Sequence, residues 1–310
     1  MSAGAMSHAG SLRLRLPATS ANLGPGFDAV AVALDFFLEI EAVPAAEFSI
    51  AATGRDAERC GRLEDNLIVG VYVSLLEQQK RVVTPLAIRM NNAIPLGMGC
   101  GSSAAARVAG VVLAAHFGQL DWSPERILEE ACALEGHPDN VAACWLGGLV
   151  AVGCEGRTVH AARVKPPAAW RAIVVLPAEP VATSKARKVL PPSYPLADVV
   201  ANLQAVSMLG LAFAQGRADL LRVAMSDRIH QPYRMTISPQ LPLLLPLVGQ
   251  GGIVGAALSG AGPGVLVVVD GEASLPQAVE AIRAALLPLA EPELILTRFL
   301  PDGASQFLKS

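Results

Sequence analysis

The residues best suited to chemistry lie in one glycine-rich stretch, residues 95–106, which reads PLGMGCGSSAAA. Glycine at every second position lets the backbone turn sharply and approach a ligand with no Cβ in the way. A strongly helical sequence follows, and the free N–H groups at the start of a helix attract anions. Ser102 and Ser103 fall in the first turn, where their hydroxyls can contact phosphate oxygens or Mg²⁺. The pattern favours a phosphate-binding loop over a glycine turn that only packs a helix closely.

Two common phosphate motifs do not fit this stretch. The P-loop requires Gly-Lys-Ser/Thr, and no lysine follows these glycines. The dinucleotide fingerprint requires a third glycine where this chain has Ser102. The loop therefore belongs to another class of phosphate site.

Two further segments and this loop together resemble the three motifs of the GHMP small-molecule kinases. Residues 17–28, PATSANLGPGFD, are similar to the first motif, and residues 258–264, LSGAGPG, to the third. The loop at 95–106 is similar to the second, with Cys100 at the usual leucine position. The motifs occur in the family's order, and their spacing extends over essentially the whole chain.

The resemblance implies an α+β fold of two domains. The N-terminal domain, residues 1–166, is expected to be ribosomal-protein-S5-domain-2-like and to bind ATP. The C-terminal domain, residues 167–310, is expected to be ferredoxin-like. A break in composition at Lys165-Pro-Pro supports the boundary.

Within the family, three segments are most similar to the homoserine kinases: SANLGPGFD, EGHPDNVA at 135–142 and TSKARKVLP at 183–191. The resemblance implies ATP-dependent phosphorylation of the L-homoserine hydroxyl to O-phospho-L-homoserine, a step of threonine biosynthesis. Two alternatives stay open: another GHMP small-molecule kinase, or a non-catalytic metabolite-binding protein on the same fold. The first is favoured only if Arg187 and Arg234 do not converge on the phosphate loop.

Homoserine is a small zwitterion with a primary alcohol, so its site needs a cation, an acceptor for the ammonium and a group that orients the hydroxyl. By the resemblance, Arg187 and Arg234 would clamp the carboxylate, since guanidinium binds carboxylate in a bidentate manner. Asp28 and His137 would face the ammonium. The remaining candidates for substrate contact are Asn22, Asn140 and Thr183. Each has an ordinary alternative role, in a turn or on a solvated surface.

For the nucleotide, the resemblance places Asn66 beside the purine. The phosphates would lie against Pro95, Leu96, Gly97, Met98, Gly99, Cys100, Gly101, Ser102 and Ser103, with Ser259, Gly260 and Gly262 behind them.

A magnesium ligand is expected on the acidic helix that precedes His137. The family places its glutamate eight residues before the histidine, which selects Glu129 over Glu125, Glu130 and Glu135. Ser103 would complete the site with phosphate oxygens and water, as Mg²⁺ prefers. The expected catalytic residues are therefore Glu129, Ser103 and Asn140. Asn140 would orient the hydroxyl without acting as a base, because alignment and charge neutralisation dominate phosphoryl transfer.

Composition excludes several other classes of protein. A net charge of −3 and 5% aromatic residues leave no basic or stacking surface for nucleic acid. The apolar stretches at 141–154 and 241–269 are interrupted by glycine or proline, so no membrane span is predicted. No secretory signal is predicted, and five cysteines without a C-x-x-C pair favour the cytoplasm. A homodimer is expected from the family and from the 52% apolar content.

The elements that must position these residues follow from periodicity and capping. A turn is predicted at 17–26, with strands on either side of it. A helix at 66–80 would be capped by Asp65. Helices are expected at 102–117 and 123–136. The remaining predictions are strands at 11–16, 29–43, 86–90, 171–176, 252–258, 265–270 and 293–299, and helices at 198–215, 217–225 and 275–289.

Overall fold

A long hairpin of alternating apolar and charged residues begins the fold. The computed structural model describes residues 10–178 and 183–306, and the side chains of 183–185 are not described. β1 (Leu12–Asn22) pairs antiparallel with β2 (Gly26–Pro44). Leucines on one face of β1 are buried, while Arg13 and Arg15 on the other face pair with Glu41 and Glu39 of β2. Strand alternation therefore sets which face of this hairpin meets the core.

Four more strands extend the hairpin into the N-terminal sheet: β3 (Ser49–Gly54), β4 (Leu86–Asn92), β5 (Leu149–Glu155) and β6 (Thr158–Val164). The order is β3-β4-β2-β5-β6, with β1 along the other edge of β2. Only β3 and β4 pair in parallel.

The N-terminal helices are α1 (Ala57–Cys60), α2 (Leu67–Gln78), α3 (Ser102–Phe117), α4 (Pro124–Glu135) and α5 (Asp139–Leu146). α3 carries small buried residues and packs against α2, α4, α5 and β1. Small side chains let a helix approach its neighbours closely, as Gly110 does against Val71. The start of α3 is thereby fixed at the centre of this half.

The second half is built on β7 (Trp170–Leu176), β8 (Ile253–Leu258), β9 (Val265–Asp270) and β10 (Glu293–Arg298). All neighbours are antiparallel, in the order β10-β7-β9-β8. Its helices are α6 (Thr183–Lys188), α7 (Leu196–Gln215), α8 (Leu221–Ala224), α9 (Gln231–Arg234), α10 (Leu241–Leu244) and α11 (Leu275–Leu286), with short 3₁₀ turns between some of them. Because α7 lies between β7 and β8 and α11 between β9 and β10, the half has the β-α-β-β-α-β order of a ferredoxin-like domain. The predicted α+β fold is confirmed.

One hydrophobic core continues from the first sheet into the second. Phe213 of α7 makes edge contacts with Trp170 and Phe299 inside the second half, and Phe299 in turn forms a β-bridge with Leu34 of the first half. A smaller core fills the space between the second sheet and α10 and α11.

α7 passes the length and composition test for a membrane span, the one helix of the described residues that does, and the sequence analysis overlooked it. Its buried Asn202 donates to the Pro25 carbonyl at 2.8 Å and accepts from the Arg228 N–H at 3.2 Å. These bonds and the Phe213 contacts hold α7 as the first crossover helix of the ferredoxin-like half.

Several predicted elements need correction. The segment at 17–26 is mostly strand, and the turn is confined to residues 23–25. Asn66, not Asp65, caps α2, because its side-chain oxygen accepts from Ile68 and Val69 N–H at 3.1 and 3.3 Å. Helix α4 has the predicted ends, with Ser123 as N-cap and Gly136 at φ 82°. The sequence analysis did not predict three strands, β3, β5 and β6, the buried helix α5, or the short helices α1, α6, α9 and α10.

Candidate active site

The glycine-rich loop takes a backbone path that only glycine allows at two of its positions. Gly99 and Gly101 have φ of 80° and 72°. A Cβ on Gly101 would lie 1.9 Å from Thr19 Oγ1, and one on Gly99 would lie 2.1 Å from the Ser259 carbonyl oxygen. The loop is therefore pressed against β1 on one side and the third motif on the other.

The third motif supports this loop from behind. Ser259 Oγ lies 2.7 Å from the Gly99 oxygen and 2.8 Å from Ser20 Oγ. The Gly264 N–H donates to the Met98 oxygen at 3.2 Å, and Asn22 Nδ2 donates to the Gly260 oxygen at 2.9 Å. All three motifs thus meet at the N-terminus of α3. Ser259 itself is fully buried with its hydroxyl engaged, so it supports the loop and does not face a ligand.

Two cavities are lined by the loop and the start of α3. One, here called the acceptor cavity, has a volume of about 350 Å³ and is walled by parts of both halves. The other, here called the nucleotide cavity, has a volume of about 540 Å³ and is walled by α1, α2, β4 and α3. Gly97, Ser102 and Ser103 line both, so they stand where the two spaces meet.

Two arginines converge on one end of the acceptor cavity. Arg187 pairs with Asp28, its Nη2 lying 2.8 and 3.0 Å from the two carboxylate oxygens. Arg234 is buried, and its guanidinium donates to the Ala186 oxygen at 3.0 Å and the Gly260 oxygen at 3.3 Å. Burial lowers the pKa of Arg234 to about 10, which leaves it charged at neutral pH. The cavity therefore has a fixed cationic end.

Both arginines contact the same aromatic ring, that of Phe27. The guanidinium carbons of Arg187 and Arg234 lie 5.5 and 5.2 Å from the centre of the Phe27 ring, within range of a cation–π contact. His230 lies 5.3 Å from the same ring, and its Nδ1 is 3.2 Å from Arg234 Nη1. Burial lowers the pKa of His230, so its neutral form accepts from Arg234.

A second polar group faces the loop from the start of α5. His137 Nδ1 lies 3.0 Å from Asp139 Oδ1, and this hydrogen bond raises the pKa of His137. Thr19 Oγ1 donates to Asn140 Oδ1 at 2.7 Å in a buried contact. The Asn140 amide is thereby oriented with its Nδ2 near Asp139 Oδ1, at 3.3 Å.

Glu129, the expected acidic ligand, lies away from both cavities. Glu129 lies 4.0 Å from Arg126 on α4 and lines neither cavity. Glu135, the last residue of α4, accepts from Ser103 Oγ at 3.1 Å and lines the acceptor cavity. The count of eight residues assumed a longer connection; here α4 ends and Gly136 leads directly to His137.

Ser103 and Glu135 offer oxygen donors suited to Mg²⁺, which usually takes one or two carboxylates together with phosphate and water. In the described part of the chain, no group of three or more His, Cys, Asp or Glu side chains could hold a metal ion without such help. The donor set therefore fits a metal that arrives with a nucleotide. Arg107 also contacts both Ser103 Oγ and the Glu135 carboxylate.

Most predicted site residues do come together. The predicted residues that line the acceptor cavity are Asn22, Asp28, His137, Asn140, Arg187, Arg234, Gly97, Gly99, Cys100, Gly101, Ser102, Ser103 and Gly260. Asn66 and Leu96 line the nucleotide cavity. Pro95, Met98, Ser259 and Gly262 line neither cavity. Thr183 begins α6, but its side chain lies outside the described part.

Asn66, predicted to lie beside the purine, has its side-chain amide bonded within the protein. Its side-chain oxygen caps α2, and its Nδ2 donates to the Cys60 and Arg62 oxygens at 3.1 and 3.2 Å. Both ends of the amide are thus engaged within the protein. Asn66 shapes the wall of the nucleotide cavity, with little capacity left for a purine.

Sequence reasoning missed five residues of the site: Thr19, Phe27, Arg107, Glu135 and His230. Thr19, Phe27 and Glu135 stand inside the quoted motifs, and only their contacts single them out. His230 precedes Arg234 by four residues, the spacing at which helical side chains meet. Arg107 offered the clearest signal, as a cation near a helix start where the dipole disfavours positive charge.

Comparison with known proteins places this arrangement among kinases. Residues 66–148 match the family model of the GHMP kinases N terminal domain, and residues 211–287 match that of the GHMP kinases C terminal domain. The homoserine kinase of Solibacter usitatus is 44% identical over 271 residues, covering 87% of this chain and 89% of that protein. The homoserine kinase of Deinococcus radiodurans is 38% identical over 257 residues, covering 83% and 84%. Among solved structures, homoserine kinase from Cytophaga hutchinsonii has a TM-score of 0.83 at 25% identity, covering 96% of this chain and 98% of that one.

Proposed function

Because this chain belongs to the GHMP kinase family and, within it, to the homoserine kinases, we propose that it transfers the γ-phosphoryl group of ATP to the side-chain hydroxyl of L-homoserine. The products are O-phospho-L-homoserine and ADP. The observation that carries the proposal is the position of Arg187, Arg234 and Asp28 in one cavity with the glycine-rich loop.

The acceptor cavity suits a small amino acid. Arg234 is fixed by two carbonyl oxygens and still lines the cavity, so it binds the carboxylate with little loss of conformational freedom. Arg187 is the more exposed partner and completes the clamp. Asp28 accepts from the substrate ammonium. His137 is assigned away from the ammonium, because its ring is already held between Asp139, 3.0 Å from Nδ1, and Glu135, 3.7 Å from Nε2.

The hydroxyl then lies toward the loop, near Asn140. Thr19 holds the Asn140 side chain, so its amide is already oriented when substrate binds. A neutral amide positions the hydroxyl and does not remove its proton. Alignment of the attacking oxygen with the γ-phosphorus supplies much of the rate enhancement in phosphoryl transfer.

The loop neutralises charge on the transferring group. The backbone N–H groups at the start of α3 point toward the region that both cavities share, and the positive end of the helix dipole adds to them. Fixed donors of this kind stabilise developing charge without reorganising during the reaction.

Mg²⁺ is proposed as the cofactor, held by Ser103 and Glu135 together with the nucleotide phosphates. When bound there, it supplies positive charge to the phosphate oxygens. Glu135 replaces the earlier assignment of Glu129, and Ser103 keeps its role.

The two alternatives make different demands on the site. Another GHMP small-molecule kinase acting on a neutral sugar has no use for two arginines at the acceptor end. A non-catalytic binding protein has no use for Ser103 and Glu135 at the boundary between the cavities. The arrangement therefore favours an amino-acid kinase.

We also propose that the partner is a small molecule only, with no nucleic-acid or membrane partner, and that the protein works in the cytoplasm as a homodimer. The net charge of −3 supports the absence of a nucleic-acid partner, and the five free cysteines support the cytoplasm. The dimer is supported by exposed apolar residues along α7: Leu196, Val200, Leu203 and Leu211.

The test is ADP release, measured by a coupled assay with L-homoserine, mevalonate and galactose as acceptors. Turnover with homoserine alone supports the proposal. Preference for another acceptor supports a different GHMP kinase, and no turnover with any of them supports a binding protein.

A further inference from the structure

Arg107 lies near the N-terminus of α3, where a positive charge does not stabilise the helix. It lies in the second turn of α3, four residues after Ser103, and a helical side chain there points back toward the helix N-terminus. The first turn of α3 holds no acidic residue, and the dipole disfavours a cation at that end. The partner of Arg107 comes from another element, the Glu135 carboxylate at the end of α4.

The Arg107 guanidinium occupies the position that the proposed metal needs. It contacts the Glu135 carboxylate and Ser103 Oγ, the two oxygen donors assigned to Mg²⁺. Two cations cannot share these oxygens at contact distance without strong repulsion. Binding of the metal–nucleotide complex must therefore release Arg107 from Glu135.

The released guanidinium has one anionic destination within the cavity. Arg107 lines the acceptor cavity beside the loop, whereas Arg187 and Arg234 lie at the acceptor end near Phe27. The other carboxylates of the cavity are already engaged: Asp28 pairs with Arg187, and Asp139 Oδ1 lies 3.0 Å from His137 Nδ1 and accepts from the Asn140 N–H. The groups that newly enter beside Arg107 are the phosphates, and a guanidinium matches their geometry with a fork of donors.

We propose that Arg107 is a further catalytic residue of the transfer, which neutralises Glu135 in the empty site and contacts the γ-phosphate once the magnesium nucleotide is bound. This rests on the proposed function. An arginine supplied within the same chain in this way stabilises the charge of the transferring group, as arginines do in other phosphoryl-transfer enzymes.

The test compares Arg107→Met and Arg107→Lys with wild type, and uses Arg283→Met as a control. Arg283 is an exposed arginine of α11 that pairs with Glu291 and lines neither cavity. Calorimetry measures binding of ADP and of a non-hydrolysable ATP analogue, each with Mg²⁺. Steady-state assays measure kcat with homoserine.

For Arg107→Met we expect the ratio of the affinity for the ATP analogue to that for ADP to fall about tenfold, the effect of losing one charge-assisted hydrogen bond to the γ-phosphate, since freeing Glu135 for the metal affects both nucleotides alike. We expect kcat to fall by at least about tenfold, with partial recovery in Arg107→Lys, since lysine keeps the charge and loses the fork. Arg283→Met should match wild type in every measurement.

Equal loss of affinity for ADP and the analogue would mean that Arg107 only supports the loop, and would overturn the proposal. A wild-type kcat together with a wild-type ratio of analogue to ADP affinity in Arg107→Met would also overturn it. If Arg107→Met does not fold, Arg107→Lys decides by the same comparison of ADP with the analogue. The binding comparison does not use homoserine, so a failure of the proposed acceptor leaves this test intact and is recognised separately.

Discussion

At the scale of single residues, the acceptor cavity combines two arginines that are held in different ways. Arg234 donates to the oxygens of Ala186 and Gly260 and is buried, so its position is set by the fold. Arg187 is held by Asp28 and is exposed. One arginine is therefore rigid and the other adjustable, an arrangement that suits a small carboxylate entering from solvent.

Replacing Arg187 by lysine should weaken homoserine binding specifically. Lysine keeps the charge and loses the forked donor set, a loss of about one charge-assisted hydrogen bond, or about tenfold in KM for homoserine. KM for ATP should stay within about twofold, since Arg187 does not line the nucleotide cavity. Steady-state kinetics with each substrate varied in turn measures both. An equal rise in both KM values would contradict the assignment.

The charge on His137 should appear in the pH dependence of stability. Its folded pKa is raised by the hydrogen bond to Asp139, so its contribution is fully present below the unfolded pKa of about 6.5. That contribution is lost as pH rises through the folded pKa. His137→Gln should therefore lower Tm more at about pH 5.5 than at about pH 9. Calorimetric unfolding at the two pH values checks this, and an equal difference in Tm at both would contradict it.

At the scale of elements, the phosphate loop depends on close contact between separate segments. Gly101→Ala places a methyl group against Thr19 Oγ1 and forces alanine into a left-handed conformation. The free energy of unfolding should fall by about 2 kcal/mol or more, and kcat should fall with it. Urea denaturation measures the change in stability.

The matched control for this change is Gly153→Ala on β5. A Cβ there meets nothing within 4 Å, so stability should change by less than about 0.5 kcal/mol. A Gly101→Ala variant as stable as Gly153→Ala would show that the loop is not packed as described.

Asn66 has two structural roles that substitutions can separate: its oxygen caps α2, and its Nδ2 donates to Cys60 and Arg62. Asn66→Ala removes the acceptor for Ile68 and Val69 N–H and should cost about 1 kcal/mol of stability. Asn66→Asp keeps that acceptor and should retain most of the cap energy. Chemical denaturation of both variants tests this; a loss as large in Asn66→Asp as in Asn66→Ala would assign the stability to the Nδ2 bonds to Cys60 and Arg62.

The elements also show what local sequence signals could and could not predict. Helices α3 and α4 were found with their ends because glycine, serine and proline mark helix termini by local geometry. β3 is an edge strand with exposed residues, and α5 is short and mostly buried, so neither has the periodicity that was searched for. These elements depend on tertiary contacts.

The site residues likewise divide into those that local sequence predicts and those that depend on tertiary contacts. Gly97, Gly101, Ser102 and Ser103 were predicted because their types alone limit the backbone and the chemistry. Glu135 was missed because a residue count cannot register a shortened connection between α4 and α5. Arg107, Thr19 and His230 act through partners distant in sequence or across a helix turn, and only the folded chain brings those contacts about.

At the scale of the whole molecule, both halves build the wall of the acceptor cavity. The loop and α3 belong to the first half, while Arg187, Arg234 and Gly260 belong to the second, and all line one cavity. Contacts between the halves, such as Ser259 with Gly99 and Arg55 with Glu293, fix their relation. The continuous hydrophobic core makes this relation rigid.

The proposed dimer is tested at this scale. Leu203 is exposed on α7, and placing a charge there should weaken an apolar interface without disturbing the core. Sedimentation of Leu203→Glu should give a monomer where wild type gives a dimer. A monomeric wild type, or a dimeric variant, would contradict an interface on this face of α7.

The central claim is that the arginine-lined cavity beside the glycine loop selects an amino-acid alcohol for phosphorylation. The most direct measurement compares kcat/KM for L-homoserine with that for 3-aminopropan-1-ol, which keeps the ammonium and the hydroxyl and lacks the carboxylate. The account predicts a value at least about a hundredfold higher for homoserine, because the arginines lose their partner in the smaller acceptor. Equal values for the two acceptors would contradict it.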